Sequence, residues 1–211
     1  MSVDTGIIVL GSQRERHGLL PEDTDTKIAA CIAFKAAAAL TGAKIVGLVN
    51  SATEHDYLNH GTHHMVSTVL EDLSVILKNS VERLGITRFI IVNGHGGNKL
   101  LIPHISKLES TLDVKIFFNN SIIDLEGAHA ASGECSIAVA AGICSKESLV
   151  GQDDFKQYPE VGFIGLKKAH VNESIKKLAE QTKIEGIKID VKLGKKLLKK
   201  AVNSVVHDIQ N

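Results

Sequence analysis

Residues 93–98 read NGHGGN and place His95 among three glycines, directly after the apolar run 88–92. A polar, glycine-rich turn at the end of a buried strand is where an open α/β sheet usually forms its site. Glycines let a ligand approach the backbone closely, and a helix beginning at Lys99 could take an anionic group at its amino terminus. The G-x-G-x-x-G dinucleotide pattern fails because residue 99 is lysine. The turn therefore predicts a binding site that includes an imidazole.

A second polar turn, residues 11–18, follows an earlier apolar run and carries Glu15 and His17 two residues apart. Asp25 lies on the same connection, so with His95 the two turns offer two carboxylates and two imidazoles. Mixed oxygen and nitrogen donors without thiolates suit Zn, Mn or Fe(II) in a catalytic centre better than they suit a structural zinc. We therefore predict a divalent metal centre shared between two strand ends. The alternative is that the carboxylates cap turns and helices while the histidines bond to the backbone.

His129 and Glu134 belong to a third polar segment, residues 128–135, which joins the fourth predicted strand to a helix. This connection would bring both side chains to the same edge of the sheet as the first two turns, where either could act as a general acid or base. Glu134 has two alternative roles, as a further metal ligand and as a helix-start carboxylate stabilised by the helix dipole. Cys135 is an alternative nucleophile, although beside the apolar run 136–140 a cysteine is more often a small core residue.

Residues 53–64 form a connection that is long for a simple loop and contains four of the ten histidines, His55, His60, His63 and His64. Long loops without secondary structure of their own are often functional. Two interpretations remain open: the loop covers the site, or it carries a set of surface histidines. For a substrate phosphate the sequence contains no dedicated loop, and the candidates are Arg14, Arg16, Lys99 and this histidine-rich loop.

Short β-rich runs alternate with helical patterns along the first two thirds of the chain. Hydrophobic periodicity predicts strands at 6–10, 44–50, 88–92 and 114–119, and helices at 25–40, 66–84, 99–112 and 134–144. Gly42 and Gly85 would end the first two helices, and one of Asp23, Thr24 and Asp25 is expected to cap the first. Because parallel strands need right-handed crossovers, the alternation predicts a three-layer α/β/α sandwich with a mainly parallel, doubly wound sheet.

The last third of the chain is less regular. Residues 158–162 indicate a turn and residues 163–166 a short apolar segment, for which we predict no pairing. From Val191 onward, apolar residues recur at helical spacing while lysines fill the opposite face. This pattern predicts a long amphipathic helix whose lysine-rich face is solvated.

Composition restricts the classes of function. With 211 residues, 44% hydrophobic, the chain fits one domain, residues 1–211. Basic and acidic residues balance at 24 each, so we expect a small-molecule partner and neither nucleic acid nor a membrane surface. Three cysteines without a CxxC pair favour a reducing, cytoplasmic compartment. We expect no export signal, because residues 1–4 contain no basic segment ahead of an apolar stretch. No apolar run approaches the roughly 18 residues that a membrane span requires.

The order of these motifs resembles the creatininase (creatinine amidohydrolase) family over about residues 5–145. The motifs are Glu15-x-His17-Gly18, Leu20-Pro21, Thr24-Asp25, the 93–98 turn, and His129 with residues 133–136. The resemblance implies a creatininase-like α/β fold and a homo-oligomer. It also implies one or two divalent metal ions held by Glu15, His17, Asp25 and His95, with Asp25 bridging if two ions bind. Fe(II) is favoured, with Zn and Mn as alternatives.

Two features depart from the family pattern. Gly97 stands where creatininases carry a metal-binding glutamate, and the segment from His17 to Asp25 is one residue shorter than theirs. Glu134 could replace the missing carboxylate.

Within the family, the chain most resembles members that hydrolyse a formamide on a pyrimidine nucleotide in riboflavin and deazaflavin coenzyme synthesis. The similarity lies in residues 21–25, 60–63 and 158–162. The implied substrate is therefore a small nucleotide, and the implied reaction is metal-dependent release of formate. Glu134 or His129 would protonate the departing nitrogen. The alternatives are hydrolysis of creatinine or another cyclic or peptide-like amide, and a metal-storing or ligand-binding α/β module without catalysis.

Overall fold

A computed structural model describes residues 4–211, so residues 1–3, where we expect no export signal, lie outside the described part. Within that part the sheet has four strands: β1 (Thr5–Leu10), β2 (Ala43–Val49), β3 (Arg88–Asn93) and β4 (Lys115–Asn119). All neighbouring strands are parallel, in the order β2-β1-β3-β4. The four predicted strands are confirmed to within one residue at each end.

The helices that connect and cover the strands vary widely in length. They are α1 (Thr24–Ala39), α2 (Val66–Leu84), α3 (Ile102–Leu112), α4 (Ser121–Glu126), α5 (Ser132–Ala140), α6 (Glu173–Glu185) and α7 (Val191–Gln210). Short 3₁₀ segments lie at Gly96–Leu101, Glu147–Leu149, Val161–Phe163 and Lys167–Val171. Within residues 4–211, no helix combines the length and the apolar character needed to cross a membrane.

The sheet is covered on both faces. Successive side chains of a strand point to opposite sides, so Ile7 and Val9 pack with α1, α5 and α7, whereas Ile8 and Leu10 pack with α2 and α3. β3 divides in the same way between the two cores. The predicted three-layer α/β/α sandwich with a parallel sheet is confirmed.

Two helix predictions need correction, and two helices were not predicted. The helix predicted at 134–144 spans Ser132–Ala140 and so ends four residues earlier. Residues 99–112 do not form one helix, because a 3₁₀ segment begins at Gly96 and the α-helix begins only at Ile102, where Pro103 is tolerated in the first turn. α4 was not predicted because six residues are too few to establish a helical period. α6 was missed because few of its residues are apolar and it buries only Ala179 and Thr182.

The predicted side-chain cap of α1 is wrong. Asp23 occupies the N-cap position but accepts no capping hydrogen bond, and its carboxylate instead pairs with Lys27 at 2.8 Å. Thr24 donates its hydroxyl to the carbonyl of Pro21 at 2.6 Å. Asp25 faces two histidines, as described below. By contrast, Gly85 ends α2 in the left-handed conformation, as predicted.

α7 packs its apolar face against α1 and α5, and its lysines are exposed, which confirms the amphipathic helix. Gly194 lies in its first turns and contacts α5, where a Cβ atom would overlap the carbonyl oxygen of Ser136. α5 is the helix that carries Glu134 near its start. The packing of α7 therefore fixes the position of a candidate site residue.

We expect Gly194→Ala to lower the free energy of unfolding by about 1–3 kcal/mol, because the added methyl group overpacks the α5–α7 contact. Urea denaturation of the metal-free protein measures the change. Lys195→Ala, at an exposed position of the same helix, is the matched control and should change stability by less than about 0.5 kcal/mol. Equal effects of the two substitutions would contradict the close packing.

Candidate metal centre

The candidate site lies where the connections of two neighbouring strands diverge. β1 and β3 are adjacent, but the chain leaves β1 toward α1 on one face and leaves β3 toward α3 on the other. Such a switch point opens a crevice at the carboxyl ends of the strands. Glu15, His17 and Asp25 follow β1, and His95 follows β3.

Two glycines let the start of α1 reach this crevice. A Cβ atom at Gly94 would overlap the carbonyl oxygen of Asp25, and one at Gly11 would lie 2.5 Å from the backbone of Thr26. Only glycine at these positions allows such close approach of three backbone segments. The consequence is that the Asp25 carboxylate lies at the ends of both strands.

The four residues predicted as metal ligands come together. Asp25 Oδ1 is 3.0 Å from His17 Nε2, and Asp25 Oδ2 is 2.9 Å from His95 Nδ1. The second carboxylate, Glu15, places Oε2 2.9 Å from the same His95 Nδ1. All four side chains are buried.

Backbone carbonyls orient three of the histidines. His17 donates its Nδ1–H to the carbonyl of Glu15 at 2.7 Å, and His95 donates its Nε2–H to the carbonyl of Thr53 at 3.0 Å. His129 donates its Nε2–H to the carbonyl of Arg16 at 2.8 Å. Each ring therefore turns its other nitrogen toward the carboxylates, which is the arrangement that fixes the tautomer of a metal-binding imidazole.

The histidine-rich loop contributes to the site, so the interpretation as surface histidines is wrong for His60 and His63. His60 is fully buried, with Nε2 2.6 Å from Glu15 Oε1, and His63 Nε2 is 4.0 Å from Glu15 Oε2. Glu54 Oε2 is 3.5 Å from His95 Nε2. The sequence did not single out these three residues as site residues. The length of the loop and its four histidines were the signals, and neither shows which histidine of the loop turns inward.

His129 and Glu134 lie at the same centre, as expected from their position in the chain. Glu134 Oε1 is 3.3 Å from His17 Nε2, and its Oε2 accepts a hydrogen bond from the backbone N–H of Ala130 at 2.7 Å. His129 Nδ1 is 3.6 Å from Glu15 Oε1. Both side chains line the cavity described below.

Burial and mutual charge shift the pKa values in opposite directions. Burial opposes the charged imidazoles, but the carboxylates around His17 and His95 outweigh it and hold the pKa of both histidines well above the usual value. Burial likewise opposes the charged form of Glu15, yet His95 and other histidines hold its pKa well below normal. Glu134 behaves differently, since burial raises the pKa of its carboxyl group. The metal-free site thus carries imidazolium and carboxylate groups side by side.

Several buried polar atoms at the centre have no hydrogen-bond partner among the described residues. They are Glu15 Oε2, Glu134 Oε1, His60 Nε2 and His63 Nε2. His60 Nε2 approaches Glu15 Oε1 closely, but the contact lacks hydrogen-bond geometry. Unpaired buried donors and acceptors are costly, and a cation would bind the carboxylate oxygens and imidazole lone pairs together. The donor set of Glu15, His17 and Asp25, with His95 adjacent, therefore fits a divalent metal.

A cavity of about 310 Å³ opens onto these residues. Its lining includes the acidic residues Glu15, Asp25 and Glu134 together with Tyr57, Leu58, Ile123 and Phe163. Cavities of this size, apolar with a few converging polar groups, are typical of small-molecule sites. Of the phosphate candidates, Lys99 and His55 of the histidine-rich loop line it, and Lys99 is paired with Asp124 at 2.7 Å.

Cys135 is not suited to act as a nucleophile. Its side chain is buried, its Sγ donates to the carbonyl of Ala130 at 3.3 Å, and burial raises the pKa of its thiol. A neutral, buried thiol is unreactive. Cys135 packs with Leu20, Ala138 and Leu149 as a core residue.

Gln152 connects two of the loops that form the site. Its side chain is buried and its Nε2 donates to the carbonyls of His17 and Ala130, each at 2.9 Å. Its Oε1 accepts from the backbone N–H of Leu19 at 2.7 Å. Ala130 has φ +52°, an uncommon conformation for a residue with a side chain. Gln152 thereby holds the turn of His17 beside the segment that carries His129 and Glu134.

This chain belongs to the creatininase family, since a family model described as creatinine amidohydrolase matches residues 2–209. Two similar curated relatives are both "2-amino-5-formylamino-6-ribosylaminopyrimidin-4(3H)-one 5'-monophosphate deformylase". The relative from Methanothermus fervidus is 44% identical over 208 residues, covering 98% of this chain and 83% of the relative. The one from Methanosphaera stadtmanae is 44% identical over 209 residues, covering 97% and 89%.

Solved creatininase structures share the fold. "Creatininase Mn" has a TM-score of 0.65 at 16% identity, covering 99% of this chain and 90% of that chain. A mutant creatininase of the Zn-Zn type has a TM-score of 0.63 at 15% identity, with the same coverage. These similarities confirm the creatininase-like architecture.

The pKa shifts predict how metal-free protein responds to pH. Protonated His17 and His95, with pKa values raised in the folded state, stabilise it fully below about pH 6.5 and lose this effect as pH rises through the raised values. Glu15, with a lowered pKa, stabilises it above about pH 4.5 and loses this effect as pH falls through the lowered value. We expect the melting temperature of metal-free protein to be highest between these limits and to fall from pH 6.5 to pH 8.5.

Added Mn²⁺ should act in the opposite direction, because metal ligands must be deprotonated. We expect the rise in melting temperature on adding Mn²⁺ to be larger at pH 8 than at pH 6. Differential scanning fluorimetry of chelator-treated protein at both pH values tests this. A metal-induced rise that does not depend on pH would contradict proton release from the centre.

Proposed function

We propose that the protein is a divalent-metal-dependent amidohydrolase, a deformylase of 2-amino-5-formylamino-6-ribosylaminopyrimidin-4(3H)-one 5'-monophosphate. The observation that carries this proposal is the 44% identity to relatives of that name over nearly the whole chain. The buried cluster of carboxylates and histidines beneath a small-molecule cavity supports the same class of reaction. The products would be formate and the corresponding aminopyrimidine nucleotide.

Glu15, His17, Asp25 and His95 would hold the metal. Asp25 directs one oxygen toward each histidine, so it is the residue suited to bridge if two ions bind. A divalent cation held by these residues would lower the pKa of water toward about 7 and would supply a Lewis acid for the carbonyl oxygen of an amide. Fe(II) is the proposed ion, and Mn and Zn accept the same donors.

Glu134 and His129 are the proposed acid and base residues. Hydrolysis leaves an amine nitrogen that must gain a proton, and the raised pKa of Glu134 favours a carboxyl group able to hold one. His129 has a pKa lowered by burial and by neighbouring His17, so its ring favours the neutral form. We therefore assign proton donation to Glu134 and the orientation or acceptance of a hydrogen-bonding group to His129 Nδ1.

Two further features belong to the proposal. All three cysteines are free, which favours a reducing compartment, and we propose a cytoplasmic location. The family resemblance favours a homo-oligomer.

The direct test is formate release from the formamidopyrimidine ribonucleotide under anaerobic conditions. We expect no formate from metal-stripped protein and restored formate after reconstitution with Fe(II), Mn or Zn. If folded protein binds a metal but releases no formate with any of them, the proposed substrate is wrong. A panel of amides that includes creatinine would then separate another amidohydrolase activity from a module that binds metal without catalysis.

Glu134→Gln tests the acid role. We expect turnover to fall by about 10²–10⁴-fold, the usual contribution of a positioned acid or base, while the metal content stays at the wild-type value. Formate release and elemental analysis of the same preparation measure the two quantities. Glu180→Gln, at an exposed position, is the control and should change neither. Loss of metal from Glu134→Gln would make Glu134 a ligand instead.

A further inference from the structure

We propose that Glu126, at the end of α4, is the residue that recognises the pyrimidine ring of the substrate. Its carboxylate would accept two hydrogen bonds, one from the 2-amino group and one from the neighbouring ring N–H. The inference rests on the proposed function, because it names the part of the proposed substrate that this residue selects. Glu126 is assigned neither a metal nor a proton-transfer step.

Glu126 lies in the cavity but outside the metal centre. It lines the same cavity as Glu15, Asp25 and Glu134. Among the described residues, it belongs to none of the groups of donor atoms that could share an ion. Burial raises the pKa of its carboxyl group, and the charges of Glu134 and Asp25 raise it further. The carboxyl group is therefore near the reaction centre and available for contact with a bound ligand.

Within residues 4–211, no partner compensates the carboxyl group of Glu126. No hydrogen bond or ion pair from these residues reaches it, although burial opposes its charged form. A carboxylate without compensation is costly to bury, and hydrogen bonds to the charged form lower the pKa of a carboxyl group again. Lys99, the lysine of the cavity lining, is paired with Asp124 instead. The missing partner would therefore come from a bound molecule that offers hydrogen-bond donors.

A close contact between two helices fixes the position of Glu126. α4 ends at this residue, and Gly127 follows with φ +86°. A Cβ atom at Gly133, in the first turn of α5, would overlap the carbonyl oxygen of Glu126. Only glycine at position 133 lets the end of α4 approach the start of α5 so closely. The contact holds Glu126 at a set position relative to Glu134, which lies on α5.

The cavity also has apolar surfaces suited to a flat ring. Ile123 precedes Glu126 by three residues, so both side chains lie on the same face of α4, and both line the cavity. Phe163 lines it as well, and its ring centroid is 5.3 Å from that of His129. Phe163 has φ +58°, a strained conformation for a residue with a large side chain, and such strain clusters at ligand sites. The lining thus combines apolar surface for the faces of a ring with a carboxyl group for its edge.

The proposed substrate presents groups that complement this carboxylate. Its 2-amino group lies opposite the formamide across the six-membered ring. When the formamide faces the metal centre, the 2-amino group and the neighbouring ring N–H therefore point away from the centre as two parallel donors. A carboxylate accepts two parallel N–H donors, as it does from the guanidinium group of arginine. A ring with a carbonyl group in place of the 2-amino group would set an oxygen against the carboxylate, which is unfavourable.

The test compares two compounds that lack the formyl group, the ribose and the phosphate: 2,5,6-triaminopyrimidin-4(3H)-one and 5,6-diaminouracil. The first has the 2-amino group, and the second has a carbonyl group in its place. Ligand-observed NMR under anaerobic conditions measures their dissociation constants with the full-length, Zn-reconstituted protein. We expect wild-type protein to bind the 2-amino compound at least about tenfold more tightly, as a bidentate contact usually provides. Glu126→Gln should abolish or reverse this preference, because an amide accepts from the ring N–H and donates to the carbonyl group.

Glu180→Gln, at an exposed position, is the matched control and should keep the wild-type preference. Circular dichroism melting checks that each variant is folded. If Glu126→Gln does not fold, Glu126→Ala decides the question. Its shorter side chain recognises neither edge, so it should bind the two compounds with similar dissociation constants.

Two results would overturn the proposal: wild-type protein that does not prefer the 2-amino compound, or an unchanged preference in the folded Glu126 variant. Neither compound carries ribose, so contact of Glu126 with a sugar hydroxyl cannot produce the expected preference. Failure of the proposed function is recognised separately, by the absence of formate release from the nucleotide, which these binding measurements do not use. Protein that releases formate but shows no preference would keep the proposed function and refute the role of Glu126.

Discussion

The position of Asp25 between two histidines is the arrangement on which the rest of the site depends. It requires the backbone at the start of α1 to touch the ends of β1 and β3, which glycine at positions 11 and 94 allows. α1 begins without a side-chain cap because the N-cap residue, Asp23, pairs with Lys27, while Asp25 in the first turn directs its carboxylate into the crevice. The helix therefore forms without a contribution that is usually worth about 1 kcal/mol.

Without metal, burial of the side chains at this centre opposes the charged forms that their neighbours favour. Glu15, Asp25 and Glu134 lie among histidines, and each side chain has little exposed surface although all three line the cavity. Protons on His17 and His95 reduce the repulsion, but atoms such as Glu134 Oε1 stay unpaired. Such a cluster is stable only because the surrounding three-layer core holds it. Functional sites often carry unfavourable local interactions that the rest of the fold compensates.

The sequence was sufficient to predict the fold and the proximity of four buried residues, for a physical reason. Carboxyl ends of parallel strands meet at one edge of the sheet, so polar residues directly after β1 and β3 must become neighbours. That rule places Glu15, His17, Asp25 and His95 near one another from the sequence alone. No comparable rule applies to residues 53–64, because a loop can direct its histidines inward or outward with the same composition. Glu54, His60 and His63 became recognisable only when the path of the loop past His95 was known. α6 was not predicted for a related reason. A helix whose surface is mostly exposed has few apolar residues at helical spacing, so its hydrophobic periodicity is weak.

Gln152 has a consequence for synthesis of the protein. It is separated by 135 residues from His17, whose carbonyl it binds, and it also fixes the segment at Ala130. During translation the turn of His17 leaves the ribosome long before residue 152 is made, and domains tend to fold as units once their chain is available. The hydrogen bonds that hold the turn of His17 beside Ala130 therefore form only after residue 152 has been synthesised. The candidate centre acquires its final geometry late, although most of its side chains belong to the first part of the chain.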